Sequence, residues 1–379
     1  MSNTPHIADL PPAALRAASL RLAGIQGLRF VAALMVVIYH ANIFVNDVFP
    51  RPADDPIMMF SLIGAAGVPV FFTISGFIMF HTSGQMFHRP GATADFLKRR
   101  LLRVYPIYWI ILLFYLLKLA WWGPGVSAGP ADLAWIALLV PGYADTIISP
   151  AWTLVYELYF YITFGLVLAL PKRIGLAVIF LLFTGGIAIG KIFDLDVQNP
   201  VIEVLTNPVL LEFLAGLCIG LSVAHAPLAK AVLRPWLVRV LLFSAVTGFI
   251  LIPFLRPLHL PAVLVLGVPS VLIVAWAIAA EYCDRLSPVM TRLAPLGDSS
   301  YSLYLIHILV MSLCMPFVRF LVQIGVATPL GLMVLLTAVS LLAGIAVHRW
   351  IERPVYDFLR QRLTHGRNAG FRPGLREKP

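Results

Sequence analysis

The chain has 379 residues, of which 60% are hydrophobic and only 12% are charged. Soluble domains carry about twice that charged fraction, so this chain lacks the polar shell that a soluble core of its size needs. The composition therefore excludes a soluble protein and predicts an all-α integral membrane protein.

Ten apolar runs approach or exceed the roughly 20 residues that a membrane-spanning helix requires. They lie near 24–46, 58–80, 101–122, 150–170, 174–193, 203–225, 237–255, 261–281, 297–322 and 329–350. A shorter apolar segment, 132–140, is expected to be interfacial or re-entrant. We predict a tail at 1–22, a ten-helix domain at 23–355 and a basic tail at 356–379.

The distribution of charge along the chain predicts the orientation of these helices. Placing the N-terminus in the cytoplasm puts most of the 28 Lys and Arg residues on the cytoplasmic side and leaves mainly Asp in the outer loops. Cytoplasmic loops of membrane proteins are rich in Lys and Arg. We therefore expect both tails to be cytoplasmic, and the net charge of +10 needs no nucleic-acid partner to explain it.

The first apolar run contains two ionisable residues, Arg29 and His40. Eleven helical residues make three turns plus about 20°, so both side chains lie on one face, roughly 16 Å apart. Ionisable residues inside a membrane are costly and are functional candidates by default. The alternatives are a snorkelling arginine at a helix end and a packed, hydrogen-bonded histidine.

Three later segments also carry candidate residues. The third apolar run begins with a basic cluster that suits either a membrane anchor or the phosphates of a nucleotide-like donor. Glu157 lies at a depth similar to that of His40, where a carboxylate could orient the imidazole or bond a neighbouring helix. Ser300, Tyr304 and His307 form one polar stripe, which suits either a cavity wall or interhelical hydrogen bonds.

Several familiar signatures are missing from the sequence. It has no phosphate-binding loop, no His-Glu-x-x-His metal motif and no Gly-x-Ser-x-Gly elbow. Cys218, Cys283 and Cys314 show neither a pairing pattern nor metal-ligand spacing. We therefore expect no bound metal.

Six motifs, taken together and in order, resemble acyltransferase family 3, the bacterial membrane O-acyltransferases. They are GIQGLRF at 24–30 with the histidine at 40, GVPVFFTISGF at 67–77, RRLLRVYP at 99–106, WTLVYE at 152–157, SYSLYLIH at 300–307 and IERP at 351–354. The WTLVYE version is most similar to the exopolysaccharide-production branch. Thr153 replaces the commoner Ser, and Leu158 replaces a second Glu found in many members.

The resemblance implies a multi-pass enzyme of the bacterial inner membrane with no permanently bound cofactor. Its donor would be acyl-CoA, usually acetyl-CoA, and its acceptor a hydroxyl of an exported polysaccharide or a lipid-linked glycan precursor. The residues that the family motifs carry over are Arg29, His40, Arg99, Arg100, Arg103 and Glu157, with Ser302 and His307 less secure.

A mechanism that fits this pattern uses His40 as the base and Glu157 to orient it. Arg99, Arg100 and Arg103 would hold the donor phosphates, with Arg29 between them and the reaction centre. The residues expected to contact the substrate are Trp152, Tyr156, Ser302 and His307. Two matters stay open: whether His40 accepts the acyl group covalently, and whether the protein is instead a glycan transporter or a scaffold subunit.

Overall fold

The computed structural model describes residues 22–52, 54–123, 125, 128–224 and 235–368, with side chains to 362. Its α-helices are α1 (Ala23–Val48), α2 (Pro56–Ser61), α3 (Gly67–Ser83), α4 (Ala92–Trp122), α5 (Pro130–Ala137), α6 (Trp152–Val167), α7 (Lys172–Ile192), α8 (Pro200–Thr206), α9 (Leu210–Ala224), α10 (Pro235–Leu255), α11 (Val268–Tyr282), α12 (Pro288–Leu293), α13 (Ser300–Gln323), α14 (Pro329–Val347) and α15 (Arg353–Asn368). Short 3₁₀ segments lie at Leu62–Ala66, Ser149–Ala151, Arg256–Leu258 and Ala294–Ser299, and π-helical segments at Val263–Gly267 and His348–Glu352.

The predicted all-α membrane fold is confirmed. Within the described ranges there is no strand, and nine helical stretches are long and apolar enough to cross a membrane. These stretches are Ala23–Val48, Pro56–Ser83, Ala92–Trp122, Lys172–Ile192, Pro200–Ala224, Pro235–Leu258, Val263–Tyr282, Pro288–Gln323 and Pro329–Arg362. The protein is therefore a multi-pass membrane protein.

The predicted tails fall largely outside this description. Residues 1–21 and 369–379 lie outside the described residues. The expected boundary between 355 and 356 falls inside α15, which runs from Arg353 to Asn368. The cytoplasmic placement of both tails stays a prediction from the charge distribution.

The fourth predicted run, near 150–170, differs from the other nine. It forms α6, whose 16 residues are fewer than the roughly 20 that a full crossing requires. The preceding helix, α5, ends at mid-height on α4, where Tyr108 donates a 2.7 Å hydrogen bond to the Ile136 carbonyl and Trp109 donates a 2.9 Å bond to the Ala137 carbonyl. This crossing is therefore built from two short helices, α5 and α6.

The hydrogen bonds from α4 explain how a broken crossing is stable. The last carbonyls of a helix have no intrahelical donor and are costly to bury unpaired. Tyr105 supplies a third such donor, 3.0 Å from the Leu138 carbonyl. The segment 132–140, expected to be interfacial or re-entrant, thus penetrates to the middle of α4. Consequently α6 begins inside the bundle rather than at its outer face.

Glycines bring α3 and α9 unusually close together. A Cβ at Gly76 would collide with the Phe213 carbonyl, and one at Gly216 would collide with the Thr73 carbonyl. Small residues at such contacts let membrane helices approach backbone to backbone. This contact fixes α3, and with it Ser75, which faces the cavity described next.

Candidate active site

A cavity of about 1080 Å³ lies between the N-terminal part of α1, the middle of α3, the N-terminal half of α4, and α6. The segment that leads into α13 and the turn from α14 into α15 complete its wall. Its charged lining comprises five arginines and two carboxylates: Arg29, Arg100, Arg103, Arg349, Arg353, Glu157 and Asp298. The cavity volume is typical of sites for sizeable ligands. The excess of arginine favours an anionic ligand.

The predicted donor-binding arginines divide into two groups. Arg29, Arg100 and Arg103 line the cavity. Arg99 does not line it. It is exposed, and its guanidinium lies 3.2 Å from the sulfur of Met86. Within the basic motif, Arg100 and Arg103 therefore face the cavity and Arg99 does not.

Glu157 lies on the cavity wall and accepts two hydrogen bonds. One comes from the hydroxyl of Tyr161, one turn further along α6, and the other from the Ser75 hydroxyl at 3.3 Å. The guanidinium of Arg100 lies 5.7 Å from the centre of the Tyr161 ring. Glu157 thus joins α3 and α6 beside the arginines.

His40 has a different partner from the one expected. Its Nδ1 lies 3.2 Å from Nε2 of His307 and 2.9 Å from the Val36 carbonyl. Within the described part of the chain, no hydrogen bond joins His40 to Glu157. The prediction that Glu157 orients His40 is therefore not met, and His307 takes that position.

The short α6 explains why Glu157 and His40 are apart. Thr153, one turn before Glu157, lies 2.9 Å from the Tyr304 hydroxyl. His307 follows Tyr304 by about one turn of α13. The prediction placed Glu157 at the depth of His40 by treating α6 as a full crossing. Because α6 starts inside the bundle, Glu157 lies on the arginine side of Tyr304 and the histidine pair lies on the other.

The hydrogen bonds of the histidine pair favour one arrangement of protons. Nδ1 of His307 lies 3.2 Å from the Leu303 carbonyl, and Nδ1 of His40 faces the Val36 carbonyl. A carbonyl oxygen only accepts, so each Nδ1 carries the hydrogen when both rings are neutral. Nε2 of His307 then accepts from His40. Nε2 of His40 keeps a free lone pair, as a general base requires.

Tyr304 closes the inner end of the cavity against the histidine pair. Its ring lies 5.9 Å from that of Phe71 and 6.0 Å from that of His307, measured between centroids. Its hydroxyl contacts Thr153, whose own hydroxyl donates to the Pro150 carbonyl at 2.9 Å. Neither His40 nor His307 lines the cavity, so Tyr304 separates the two parts of the site.

Of the four residues expected to contact substrate, none lines the cavity. Tyr156 is occupied by Glu203 at 3.3 Å and Asn207 at 3.1 Å, and Trp152 is 40% exposed beside it. His307 holds His40. The remaining residue, Ser302, is fully buried and donates to another carboxylate.

That carboxylate belongs to a small network at the π-helical segment His348–Glu352. Oε2 of Glu352 accepts from Ser302 at 2.5 Å and lies 2.9 Å from Nδ1 of His348. His348 lines the cavity. π-Helical turns are frequent at functional sites. Here the network joins α13 to the turn that carries the last two arginines of the cavity.

Arg349 and Arg353 are not among the residues predicted for the site. The IERP motif at 351–354 contains Arg353. A signal was thus available, although position 349 lies outside the motif. Their distance in sequence from the other cavity arginines concealed the contact. No group of three or more His, Cys, Asp or Glu residues in the described ranges could hold a metal ion.

Comparison with known proteins defines the class of this protein. The family described as an acyltransferase domain matches residues 22–349. The chain therefore belongs to this acyltransferase family and is a membrane-embedded acyltransferase, which confirms the resemblance found in the motifs. The enzyme interpretation stands, and the transporter and scaffold alternatives lose their support.

Two curated relatives extend this result. The exopolysaccharide production protein ExoZ of Rhizobium meliloti is 31% identical over 333 residues, covering 83% of this chain and 94% of the relative. The acyltransferase MdmB of Streptomyces mycarofaciens is 26% identical over 379 aligned residues, covering 90% of this chain and 94% of the relative. No solved structure matches the chain.

Proposed function

We propose that this acyltransferase moves an acyl group, usually acetyl, from acyl-CoA to a hydroxyl of an exported polysaccharide or its lipid-linked precursor. The observation that supports acyl-CoA as the donor is the cavity lined by five arginines. Coenzyme A carries a diphosphate and a further phosphate, and arginine pairs with phosphate through two parallel hydrogen bonds.

The arrangement of the site supports a direction for the reaction. The arginines lie at the end of the bundle where the charge distribution places the cytoplasm, and acyl-CoA is a cytoplasmic metabolite. Tyr304 and the histidine pair lie deeper. The donor enters from the cytoplasm with its thioester towards Tyr304. This direction suits a protein of the bacterial inner membrane, the localisation that we propose.

In this proposal, Nε2 of His40 removes the proton of the acceptor hydroxyl. The resulting oxygen attacks the thioester carbonyl, the carbon–sulfur bond breaks, and the CoA thiolate takes the proton from His40. His307 holds the imidazole in the tautomer with a free Nε2. In this mechanism Glu157 forms part of the cavity wall and does not orient His40. The thioester reaches His40 when the Tyr304 side chain turns aside.

The assignment of the acceptor rests on the description of one relative alone. ExoZ of Rhizobium meliloti is described as an exopolysaccharide production protein, and a polysaccharide offers the hydroxyl groups that an O-acyltransferase uses. MdmB carries only the description of an acyltransferase. A polysaccharide or its lipid-linked precursor is therefore the acceptor class that we propose.

The test is the ester content of the host's exopolysaccharide, measured by proton NMR and mass spectrometry. A deletion strain is complemented with the wild type, His40→Ala or Arg29→Ala at matched membrane levels. We expect one ester signal to disappear in the deletion and in both variants. His81→Ala, at an exposed position on α3, is the control and should restore the ester. Unchanged ester content in the deletion strain would overturn the polysaccharide acceptor.

A further inference from the structure

A second cavity of about 440 Å³ adjoins the first, between α4 and the turn from the π-helical segment into α15. The two cavities share lining residues, which form their junction: Gln26, Arg103, Asp298, His348 and Arg353. A ligand bound at the junction therefore has two directions in which to extend.

The walls that belong to the second cavity alone have a different chemistry from the junction. They comprise five apolar or aromatic residues and one carboxylate: Leu102, Pro106, Ile107, Val355, Tyr356 and Glu352. No arginine is among them, so a phosphate finds no partner beyond the junction. A flat, uncharged, aromatic group suits these walls, since aromatic side chains stack on bases of any sequence.

The walls that belong to the second cavity alone offer hydrogen-bond acceptors. Proline has no N–H, so the helical hydrogen bond from position 106 to the Leu102 carbonyl cannot form. That carbonyl belongs to a wall residue. Oε2 of Glu352 is engaged by Ser302 and His348, which leaves Oε1 as a second acceptor. Such acceptors suit a heteroaromatic ring that bears an amino group.

We propose that the second cavity takes the purine nucleoside of the acyl-CoA donor. This inference rests on the proposed function and refines it. The donor binds bent: its phosphates lie at the junction beside Arg103 and Arg353, its pantetheine arm extends through the first cavity towards Tyr304, and its adenine packs on Tyr356. Tyr356 is thereby a specificity-determining residue for donors that carry a nucleotide.

The first experiment uses the wild-type, full-length protein purified in detergent. Binding of radiolabelled acetyl-CoA is competed with two fragments of it, adenosine 3′,5′-bisphosphate and acetyl-4′-phosphopantetheine. We expect each fragment to displace acetyl-CoA, and the two fragments to bind together without displacing one another. Failure of the bisphosphate to displace acetyl-CoA would overturn the inference.

The second experiment uses variants of α15. Tyr356→Ala is expected to weaken acetyl-CoA binding about tenfold, the effect of losing one base–aromatic stack, while acetyl-4′-phosphopantetheine binds as to the wild type. Tyr356→Phe keeps the ring and should retain the affinity. Phe358→Ala is the matched control, because Phe358 lies on the same helix, is 55% exposed and lines neither cavity.

The outcomes separate this inference from the function on which it rests. If the wild type binds acetyl-CoA but Tyr356→Ala weakens both donors equally, the nucleoside assignment is wrong and the acyl-CoA donor stands. If the wild type binds no acetyl-CoA at all, the donor itself is wrong and the inference falls with it.

Discussion

The two ends of α1 each lie near an arginine, and the two arginines have different surroundings. Near its N-terminal end, Arg29 hydrogen-bonds Gln26 at 3.0 Å and faces a cavity with four further arginines. Beyond its C-terminal end, Arg51 is partly buried, with its guanidinium donating to the side-chain carbonyl of Asn42 and, at 3.5 Å, to the carboxylate of Asp55.

The difference distinguishes a structural cation from a binding cation. The carbonyl and carboxylate partners of Arg51 come from the protein and tie α1 to the start of α2, which Asp55 also caps through Met58 at 3.0 Å. At the cavity, Arg103 has neither a hydrogen bond nor an ion pair within the described ranges. Its charge, together with that of Arg29, is available to a ligand.

The largest effect on activity is expected at His40, which lies on α1 between Arg29 and Arg51. His40→Ala should lower the turnover number of the purified enzyme by about 10²- to 10⁴-fold, because it removes the general base. The measurement is release of CoA in the presence of a polysaccharide acceptor, with His81→Ala as the control. Turnover at the wild-type rate would remove His40 from the mechanism.

A smaller effect is expected at the cavity arginines. Arg103→Ala should raise the KM for acetyl-CoA about tenfold, the value of one hydrogen bond to a charged group, with the turnover number nearly unchanged. Steady-state kinetics at saturating acceptor provide the measurement.

Arg99→Ala is the matched control for that variant. It removes the same charge from the same helix, but Arg99 is exposed and does not line the cavity. We expect its KM to equal that of the wild type. Equal increases in both variants would mean that the basic motif acts through general charge, not through the cavity.

The smallest effect on activity is expected at Arg51. Arg51→Met leaves the side-chain carbonyl of the buried Asn42 without its arginine donor. The free energy of unfolding should therefore fall by about 1–3 kcal/mol. The KM for acetyl-CoA should not change. Thermal unfolding of the detergent-purified protein measures the change in stability, and steady-state kinetics measure the KM for acetyl-CoA. A raised KM with unaltered stability would erase the distinction between the two arginines.

The sequence predicted the membrane fold and three of the cavity arginines, Arg29, Arg100 and Arg103. The length of the apolar runs predicts the fold, and the basic cluster and the family motifs point to these arginines, whose role in donor binding stays a prediction. Arg99, assigned to the donor phosphates with them, does not line the cavity, and its role in donor binding stays a prediction. A run of basic residues presents several faces, and only the packing of α4 against α6 shows which one meets the cavity.

The partner of His40 could not be predicted for a physical reason. Hydropathy counts apolar residues but does not show where a helix begins relative to its neighbours. The acceptors at Ile136 and Ala137 meet donors on α4, and these contacts between distant residues place the start of α6 inside the bundle. The error in the depth of Glu157, and so in its pairing with His40, follows from that.

The closure of the cavity by Tyr304 has an electrical consequence. A cavity filled with water and ions conducts, so the voltage across a membrane falls mainly over the insulating protein that remains. In this protein that layer begins at Tyr304 and includes His307 and His40. In the proposed mechanism a proton passes from His40 to the CoA thiolate in the cavity, so we expect the voltage across the membrane to act on that transfer.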